Sequence, residues 1–467
     1  MKLAKRGLAL LLCMVMMLVM MTACGKTEDK QTDAEPTKKE DSQKDDTKDK
    51  EPANDAKELS GEITFWHFNG DEGPAIARAF EKAYPGVTVK DQITADTDGN
   101  YQTKIQAASR SGDLPDVYAA ENAFVKRFVN MPGGYMSLSS FDGVNDVVSN
   151  VVPFVAGIGT NNDGELVALS HQAAAGAIAY KREMAKQYLG TDDPAEVGEM
   201  LKPENMLETG RKLKDASGGK AKLWVGTEEL FKIYVGSRQK GWVENGKFVI
   251  DERIYEFLDI AEVLRKENLE GGLPQWQEAW ANSIQDDIHM CYAVPTWGIQ
   301  WIIDCRESDD IMVMTSDDHP ESGTGGRWAI TTPIPYYEGG TWFGISQNAK
   351  NPELAWEFIK FITGNEDYLA ELAEAGDFVS NTKMIDKFKA DNGFINKVVN
   401  QNIYQVYGDV ADKIDGSIIT QYDDTIKTAF LNCMNSYLAG EISKDEMFVQ
   451  FKETLQSQLQ GEDIAFE

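Results

Sequence analysis

The chain has few histidines, and none is spaced for a common metal site. Its four histidines, His67, His171, His289 and His319, stand far apart, so no H-x-x-x-H zinc pair occurs. The G-x-x-x-x-G-K-[ST] loop that binds nucleotide phosphates is missing, as is any local nucleophile motif. We therefore expect no metal or other cofactor and no ATP hydrolysis by this chain itself.

Basic residues are scarce relative to acidic ones. The sequence has 46 Lys and Arg against 76 Asp and Glu, which gives a formal net charge of −30. Binding to nucleic-acid phosphates needs clustered Lys and Arg side chains. Nucleic acid is therefore excluded as an expected partner.

Cysteine is too rare for a disulfide framework. Of five cysteines, Cys13 and Cys24 belong to an N-terminal segment discussed below, which leaves Cys291, Cys305 and Cys433. An odd number in an exported protein argues against a disulfide framework. We expect buried thiols, and one bridge between Cys291 and Cys305 stays open as an alternative.

Only one long apolar run occurs, and it lies at the N-terminus. Lys2, Lys5 and Arg6 precede the run, which spans residues 8–21 and is followed by small residues. This order of basic, apolar and small segments is typical of a secretory signal. At about 14 residues the run is shorter than the roughly 20 that a membrane-spanning helix needs. The sequence therefore predicts export, with residues 1–23 as the signal peptide.

The signal ends at a single cysteine. The segment Met21-Thr22-Ala23-Cys24 resembles the bacterial lipobox, in which the cysteine is acylated and becomes the mature N-terminus. The resemblance implies a lipidated Cys24 and a chain anchored on the outer face of the cell membrane. Two acyl tails would provide a stable anchor, since one tail alone binds only marginally.

Residues 25–58 contain no aromatic or branched aliphatic side chain. Such a segment cannot bury enough apolar surface to offset the entropy lost on ordering it. Together with Cys24 it is predicted to form a disordered tether, residues 24–58.

The remaining residues, 59–467, are too many for one ordinary core and suit two lobes. GEITFWHF and PGVTVKDQI read as strands on either side of a helix that begins near Pro74. A third strand follows in GDLPDVYAA. This strand, helix, strand unit predicts an α/β fold with a parallel sheet.

Two later segments have clear local signals. Asn245-Gly246 lies between two short β-type runs, as a type I′ hairpin requires. NPELAWEFIKFITG reads as a helix with Asn351 as its cap and Pro352 in the first turn.

Several motifs together resemble extracellular solute-binding proteins of carbohydrate ABC transporters, the maltose-binding-protein-like family. They occur in the family's order: TFWHFNGDEGPAIARAFEKAYPGVTV, YQTKIQAASRSGDLPDVYAAE, CYAVPTWGIQ, PIPYYEGGTWFGISQNAKNPELAWEFIKFIT and FVSN. The resemblance implies a monomer with two α/β lobes and a hinge, the type II periplasmic-binding-protein fold. Lobe 1 is expected at about 59–170 and 346–390, and lobe 2 at about 171–345 and 391–467.

The first expected ligand-binding residues follow the first strand. Trp66, His67, Asn69 and Asp71 lie at or just after its C-terminal end, where open α/β sheets bind ligands. By position they resemble the family's first sugar-contact loop. The alternatives are a core position for Trp66 and a helix cap for Asp71.

Other candidates are spread along the chain. Glu121 matches a family position that often holds an acid for sugar hydroxyls, and Trp297 resembles the aromatic that stacks on sugar from lobe 2. Trp342 follows two glycines that allow close approach of a backbone. Trp280 is a candidate because polar residues surround it in the sequence; a buried core position is the alternative. Tyr422 is a candidate on the resemblance alone.

The resemblance implies that the chain captures a sugar or oligosaccharide between its lobes and delivers it to a membrane permease. The same fold with a non-sugar solute, such as a polyol phosphate or peptide, is the first alternative. A surface sensor or adhesin with the same site, or a secreted glycan-active enzyme, would also be exported. No pair of carboxylates is singled out for catalysis, so we expect no enzyme.

Overall fold

The structure is a computed structural model that describes residues 59–304 and 327–466. The predicted signal peptide, Cys24 and the tether lie outside the described residues, as does Cys305. Cys291 and Cys433 are buried free thiols. Within the described ranges, every helix is too short or too polar to cross a membrane.

The first lobe is built on a five-stranded sheet in the order β2-β1-β3-β11-β4. Its strands are β1 (Ser60–His67), β2 (Gly86–Ile93), β3 (Val117–Glu121), β4 (Ala168–Leu169) and β11 (Thr341–Ile345). β1 pairs in parallel with β2 and β3, whereas β11 runs antiparallel to β3 and β4. The predicted strand, helix, strand unit is confirmed.

The second lobe is built on a four-stranded sheet in the order β10-β5-β9-β6. Its strands are β5 (Ala175–Lys181), β6 (Lys222–Trp224), β9 (His289–Pro295) and β10 (Trp328–Tyr337). β5 lies antiparallel between β10 and β9, and β6 is parallel to β9. A separate hairpin joins β7 (Val243–Glu244) to β8 (Lys247–Phe248).

Helices cover both sheets. Their bounds are α1 Glu72–Ala83, α2 Asn100–Ser111, α3 Val125–Val129, α4 Val144–Val148, α5 Pro153–Ile158, α6 Arg182–Met184, α7 Pro194–Met200, α8 Pro203–Ala216, α9 Thr227–Gly236, α10 Glu252–Lys266, α11 Glu278–Ser283, α12 Pro352–Gly364, α13 Glu366–Glu374, α14 Thr382–Ala390, α15 Ile403–Ala411, α16 Asp423–Leu438 and α17 Lys444–Gln458. Short 3₁₀ turns occupy Thr97–Gly99, Leu138–Ser140 and Gly416–Ile418, and π-type turns occupy Ala185–Leu189 and Ile299–Asp304.

Local sequence signals explain several of these elements. The hairpin turn holds Asn245 at φ 51° and Gly246 at φ 73°, the positive values that the dipeptide predicts. α12 begins at Pro352, as predicted, because proline lacks the amide hydrogen that a first turn leaves unpaired. α2 begins at Asn100, and Gly99 takes its cap position.

Apolar side chains form two buried clusters. One fills the first lobe, where Phe65 of β1 packs against Phe358 of α12 with ring centroids 5.1 Å apart, and continues under α15 onto one face of the second sheet. The other lies on the opposite face of that sheet, under α8, α9, α10, α16 and α17. The second sheet is therefore covered on both faces.

The chain crosses between the sheets at 170–174 and again at 338–340. The second crossing corrects one predicted boundary. We expected lobe 2 to extend to residue 345, but β11 (Thr341–Ile345) pairs with β3 and β4 of the first sheet. Gly339 and Gly340, both at positive φ, turn the chain directly before β11. The strand therefore forms its backbone hydrogen bonds in the first lobe.

Candidate functional site

A cavity of about 330 Å³ lies where the two lobes face each other. The first lobe contributes the end of β3 and the start of α3, and the second contributes α9, the segment after β9 and the first turns of α16. The crossing at 338–340 forms part of the wall. The cavity therefore touches both lobes and one of the segments that connect them.

Trp297 provides an aromatic wall of the cavity. It follows β9 and is half-buried, and its Nε1 donates a hydrogen bond of 2.9 Å to the backbone oxygen of Glu338. Gly339 allows this contact, because a Cβ at that residue would lie 2.4 Å from the Trp297 Nε1. Its φ of +91° is also in the left-handed region that favours glycine. The ring is thus fixed against the crossing segment.

Glu121 provides an acid on the opposite lobe. Its carboxylate accepts a hydrogen bond of 2.7 Å from the backbone N–H of Ala123. Burial raises the pKa of Glu121 to about 7, although the Ala123 N–H and the charge of Lys427 act in the other direction. Near neutral pH the group is therefore both a donor and an acceptor for a ligand's polar groups.

Basic side chains also line the cavity, and our sequence analysis did not place them there. They are Lys126, Arg127, Lys232, Arg238 and Lys427. Lys126 donates to the backbone oxygens of Gly157 and Thr160, at 3.1 and 2.6 Å, and burial lowers its pKa to about 8. The residues predicted for the site include no lysine or arginine, whereas the observed lining carries both signs of charge.

Two of these cations are in ion pairs with acids of the cavity wall. Lys232 pairs with Glu338, and Arg238 pairs with Asp423 at 2.6 Å. Three buried atoms of the lining lack a hydrogen-bond partner among the described residues: Asn122 Oδ1, Arg238 Nη1 and Glu338 Oε2. Since an unpaired buried polar atom is costly, these atoms are suited to bind the polar groups of a solute.

The structure corrects two predicted tryptophan contacts. Trp342 lies in β11, is 1% exposed, and donates from Nε1 to the backbone oxygen of Val155 at 3.0 Å. Trp280 is fully buried, with its Nε1 bonded to the carboxylate of Glu229. Both rings are core residues, because β11 is a central strand and α11 turns Trp280 inward.

The predicted loop after β1 lies outside the cavity lining described above. His67 is fully buried, so it offers no surface to a solute, and burial lowers its pKa to about 3. Trp66 is half-buried beneath the Lys104 ammonium, which lies 3.8 Å from its ring centroid. The side-chain oxygen of Asn69 accepts hydrogen bonds from the N–H groups at the start of α1, so Asn69 caps this helix. We had considered this role for Asp71, but the Asp71 side chain is exposed and makes no cap bond.

Tyr422 lies directly before α16, next to residues of the cavity wall. Its hydroxyl donates to Glu462 at 2.7 Å, which directs the ring away from the described lining. Of the predicted ligand residues, the cavity lining thus includes Glu121 and Trp297. One further residue of the cavity wall, Glu338, could have been found from the sequence, because it stands directly before the two glycines of the second crossing.

Among the residues that the structure describes, no group of three or more His, Cys, Asp or Glu is placed to hold a metal ion. The polar groups of the cavity are instead single side chains and ion pairs next to an aromatic wall. Such an arrangement suits the binding of an organic solute of small to moderate size.

Solved structures share this fold. A crystal structure of an extracellular solute-binding protein of family 1 matches with a TM-score of 0.73 and 18% identity, covering 85% of this chain and 99% of that one. The galacto-N-biose-/lacto-N-biose I-binding protein of an ABC transporter from Bifidobacterium longum matches with a TM-score of 0.65 and 14% identity, covering 87% and 99%. These similarities confirm the two-lobed α/β fold.

Sequence comparison finds the same kind of protein. An arabinooligosaccharide-binding protein of Halalkalibacterium halodurans is 23% identical over 436 residues, which cover 85% of this chain and 90% of that protein. The family model for bacterial extracellular solute-binding proteins matches residues 75–391. Because that match spans well over half of the sequence, the chain belongs to the bacterial extracellular solute-binding protein family.

Proposed function

We propose that this chain is the sugar-capturing subunit of an ABC importer. It binds a sugar or oligosaccharide in the cavity between its lobes and passes it, chemically unchanged, to permease subunits in the membrane. Support comes from the family match and from relatives whose names include an arabinooligosaccharide-binding protein. The chain acts outside the cell as a monomer held by an acylated Cys24 and the tether of residues 24–58.

One observation carries the proposal, namely the combination of a flat ring and unpaired polar atoms in one cavity. A sugar presents apolar C–H faces and a rim of hydroxyl groups. Trp297 offers a surface for the C–H face, and Asn122, Arg238 and Glu338 line the cavity with polar side chains that each have one buried atom without a hydrogen-bond partner among the described residues. A wrong solute would leave those atoms unpaired, which is how such a cavity selects.

Binding would act through closure of the lobes. A solute that contacts both Glu121 and Trp297 connects the first lobe to the second. It stabilises the closed form only by as much as it binds that form more tightly than the open one. The closed form is then the state that a permease can recognise.

The proposal is tested by isothermal titration with arabino-, malto- and galacto-oligosaccharides. We expect one sugar bound per chain, and we expect Trp297→Ala to weaken binding more than tenfold because the stacking surface is lost. Trp297→Phe keeps a flat ring and is the matched control. Equal affinity of the alanine variant would remove the ring from the site, and conversion of the sugar into a product would contradict a binding protein.

A second candidate solute is a sugar acid or polyol phosphate. Two cations of the cavity favour it, because their hydrogen bonds go to neutral oxygens, which do not cancel their charge. Lys126 donates to backbone carbonyls, and Arg127 donates to the Gln102 side-chain oxygen at 3.0 Å. Titrations with glucose against glucuronate and glucose phosphate distinguish the two. Tighter binding of the anions, weakened by salt, would replace the neutral sugar as the solute.

A further inference from the structure

An exposed tryptophan lies next to the cavity. Trp276 is 52% exposed, and every other tryptophan of the described residues is buried or half-buried. Its ring is nearly parallel to that of Trp297, with an interplanar angle of 15° and centroids 6.2 Å apart. The aromatic wall of the cavity therefore continues outward to a ring that solvent reaches.

The segment that holds Trp276 is fixed from several sides. Trp276 has a φ of +70°, which a bulky residue adopts only where its surroundings impose it. The neighbouring Gln275 is 8% exposed and bonded to Lys232 of the cavity wall. On the other side, the Trp280 ring supports Trp276 at a centroid distance of 5.1 Å.

The simplest explanation of an exposed ring is a loop residue without a role, and these contacts argue against it. Burying Trp276 would remove apolar surface from water, yet the chain holds it outside at the expense of an unfavourable backbone conformation. Lys232 bridges this segment to Glu338, whose backbone oxygen fixes Trp297. The two rings are thus positioned by one connected set of bonds.

We infer that Trp276 forms an outer subsite for a second or later sugar unit of an oligosaccharide. This inference rests on the proposed function, since it assumes that the first unit lies against Trp297 in the cavity. A glycan that continues past Trp297 meets the parallel face of Trp276, so the chain selects for oligosaccharides over single sugars. Charged groups play no part in this step, because stacking uses the C–H face of the sugar.

The experiment titrates the full chain with arabinose and with arabino-oligosaccharides of two to five units, with malto-oligosaccharides as a second series. Wild-type affinity should rise with length. Trp276→Ala should leave single-sugar affinity within twofold and weaken the longest oligosaccharides at least fivefold. Trp276→Phe should restore most of the loss, and Tyr255→Ala, an exposed aromatic elsewhere at 38%, should change nothing.

A second readout is independent of affinity. Saturating pentasaccharide should protect Trp276 from acrylamide quenching, and a single sugar should not; the difference should vanish in Trp276→Phe. Unchanged affinities for every length in Trp276→Ala would overturn the subsite while leaving the proposed function intact. Equal weakening at all lengths would also overturn it. If the wild-type chain binds no sugar of either series and no galacto-oligosaccharide, the proposed function fails and the subsite with it.

Discussion

A half-buried acid in the first lobe gives a sharp test of the electrostatics. Glu72, at the start of α1, has its carboxylate 3.4 Å from His67 Nε2 and 3.6 Å from His171 Nε2, and it accepts from Thr341 at 3.2 Å. His171 belongs to one crossing between the lobes, and Thr341 directly follows the other. Asp377 lies on the far side of His171 at 3.9 Å.

These surroundings favour a neutral Glu72. Burial, together with the charge of Asp377, raises its pKa to about 8, whereas burial lowers the pKa of His67 to about 3 and also lowers that of His171. At neutral and higher pH the imidazoles are therefore uncharged and cannot compensate a carboxylate. Because the folded-state pKa of Glu72 lies above its unfolded value, its contribution to stability is complete below about pH 4.5 and is lost as the pH rises towards 8.

The expected magnitude follows from the shift. One pKa unit corresponds to about 1.4 kcal/mol, so ionising Glu72 between pH 5 and pH 8 costs at most about 4 kcal/mol of unfolding free energy. Its side chain is 19% exposed, and this remaining contact with water reduces the figure to about 2–3 kcal/mol. Glu72→Gln keeps the shape but cannot ionise.

The assay is urea unfolding of both proteins from pH 5 to pH 9. The two should have similar stability at pH 5, and Glu72→Gln should be more stable by about 2–3 kcal/mol at pH 8. The control is Glu62→Gln, which removes an exposed pair with Lys90 and should give a flat difference. A Glu72→Gln difference that is also flat, or destabilising at pH 8, would refute the neutral carboxyl.

Two further predictions concern the core. Trp342→Ala removes a 1% exposed ring from β11, an inner strand of the first sheet, and should lower the unfolding free energy by about 3–5 kcal/mol in chemical denaturation. A loss below about 1 kcal/mol would show that the ring is a surface group. Gly176→Ala would place a Cβ 2.1 Å from the buried ring of Tyr336 and should lower the unfolding free energy by about 1–3 kcal/mol. Thermal unfolding should show a lower melting temperature, and an unchanged one would contradict this packing.

Elements with local signals were predictable from the sequence. The Asn245-Gly246 hairpin and the start of α12 at Pro352 follow from backbone preferences of those residues, which act over a few positions. The first strand also follows from its alternation, with Ile63, Phe65 and His67 buried on one face. The alternation also places Trp66 on the opposite face, but it does not predict the Lys104 ammonium above the ring, because that side chain comes from α2.

The site depended more on tertiary structure. Trp342 reads like a loop aromatic after two glycines, yet β11 is paired on both sides and each of its residues is buried. The cavity's cations Lys232 and Lys427 lie within ordinary helices, α9 and α16, and only the packing of those helices turns them to the cavity. No short pattern in the sequence distinguishes them from other surface lysines.

The central claim is tested most directly by a crystal structure of the chain with the tightest-binding oligosaccharide from the titrations. The account predicts an intact sugar between the lobes, with a ring on Trp297 and hydroxyls within hydrogen-bond distance of Asn122, Arg238 and Glu338. A sugar bound elsewhere, or one cleaved in the cavity, would contradict it.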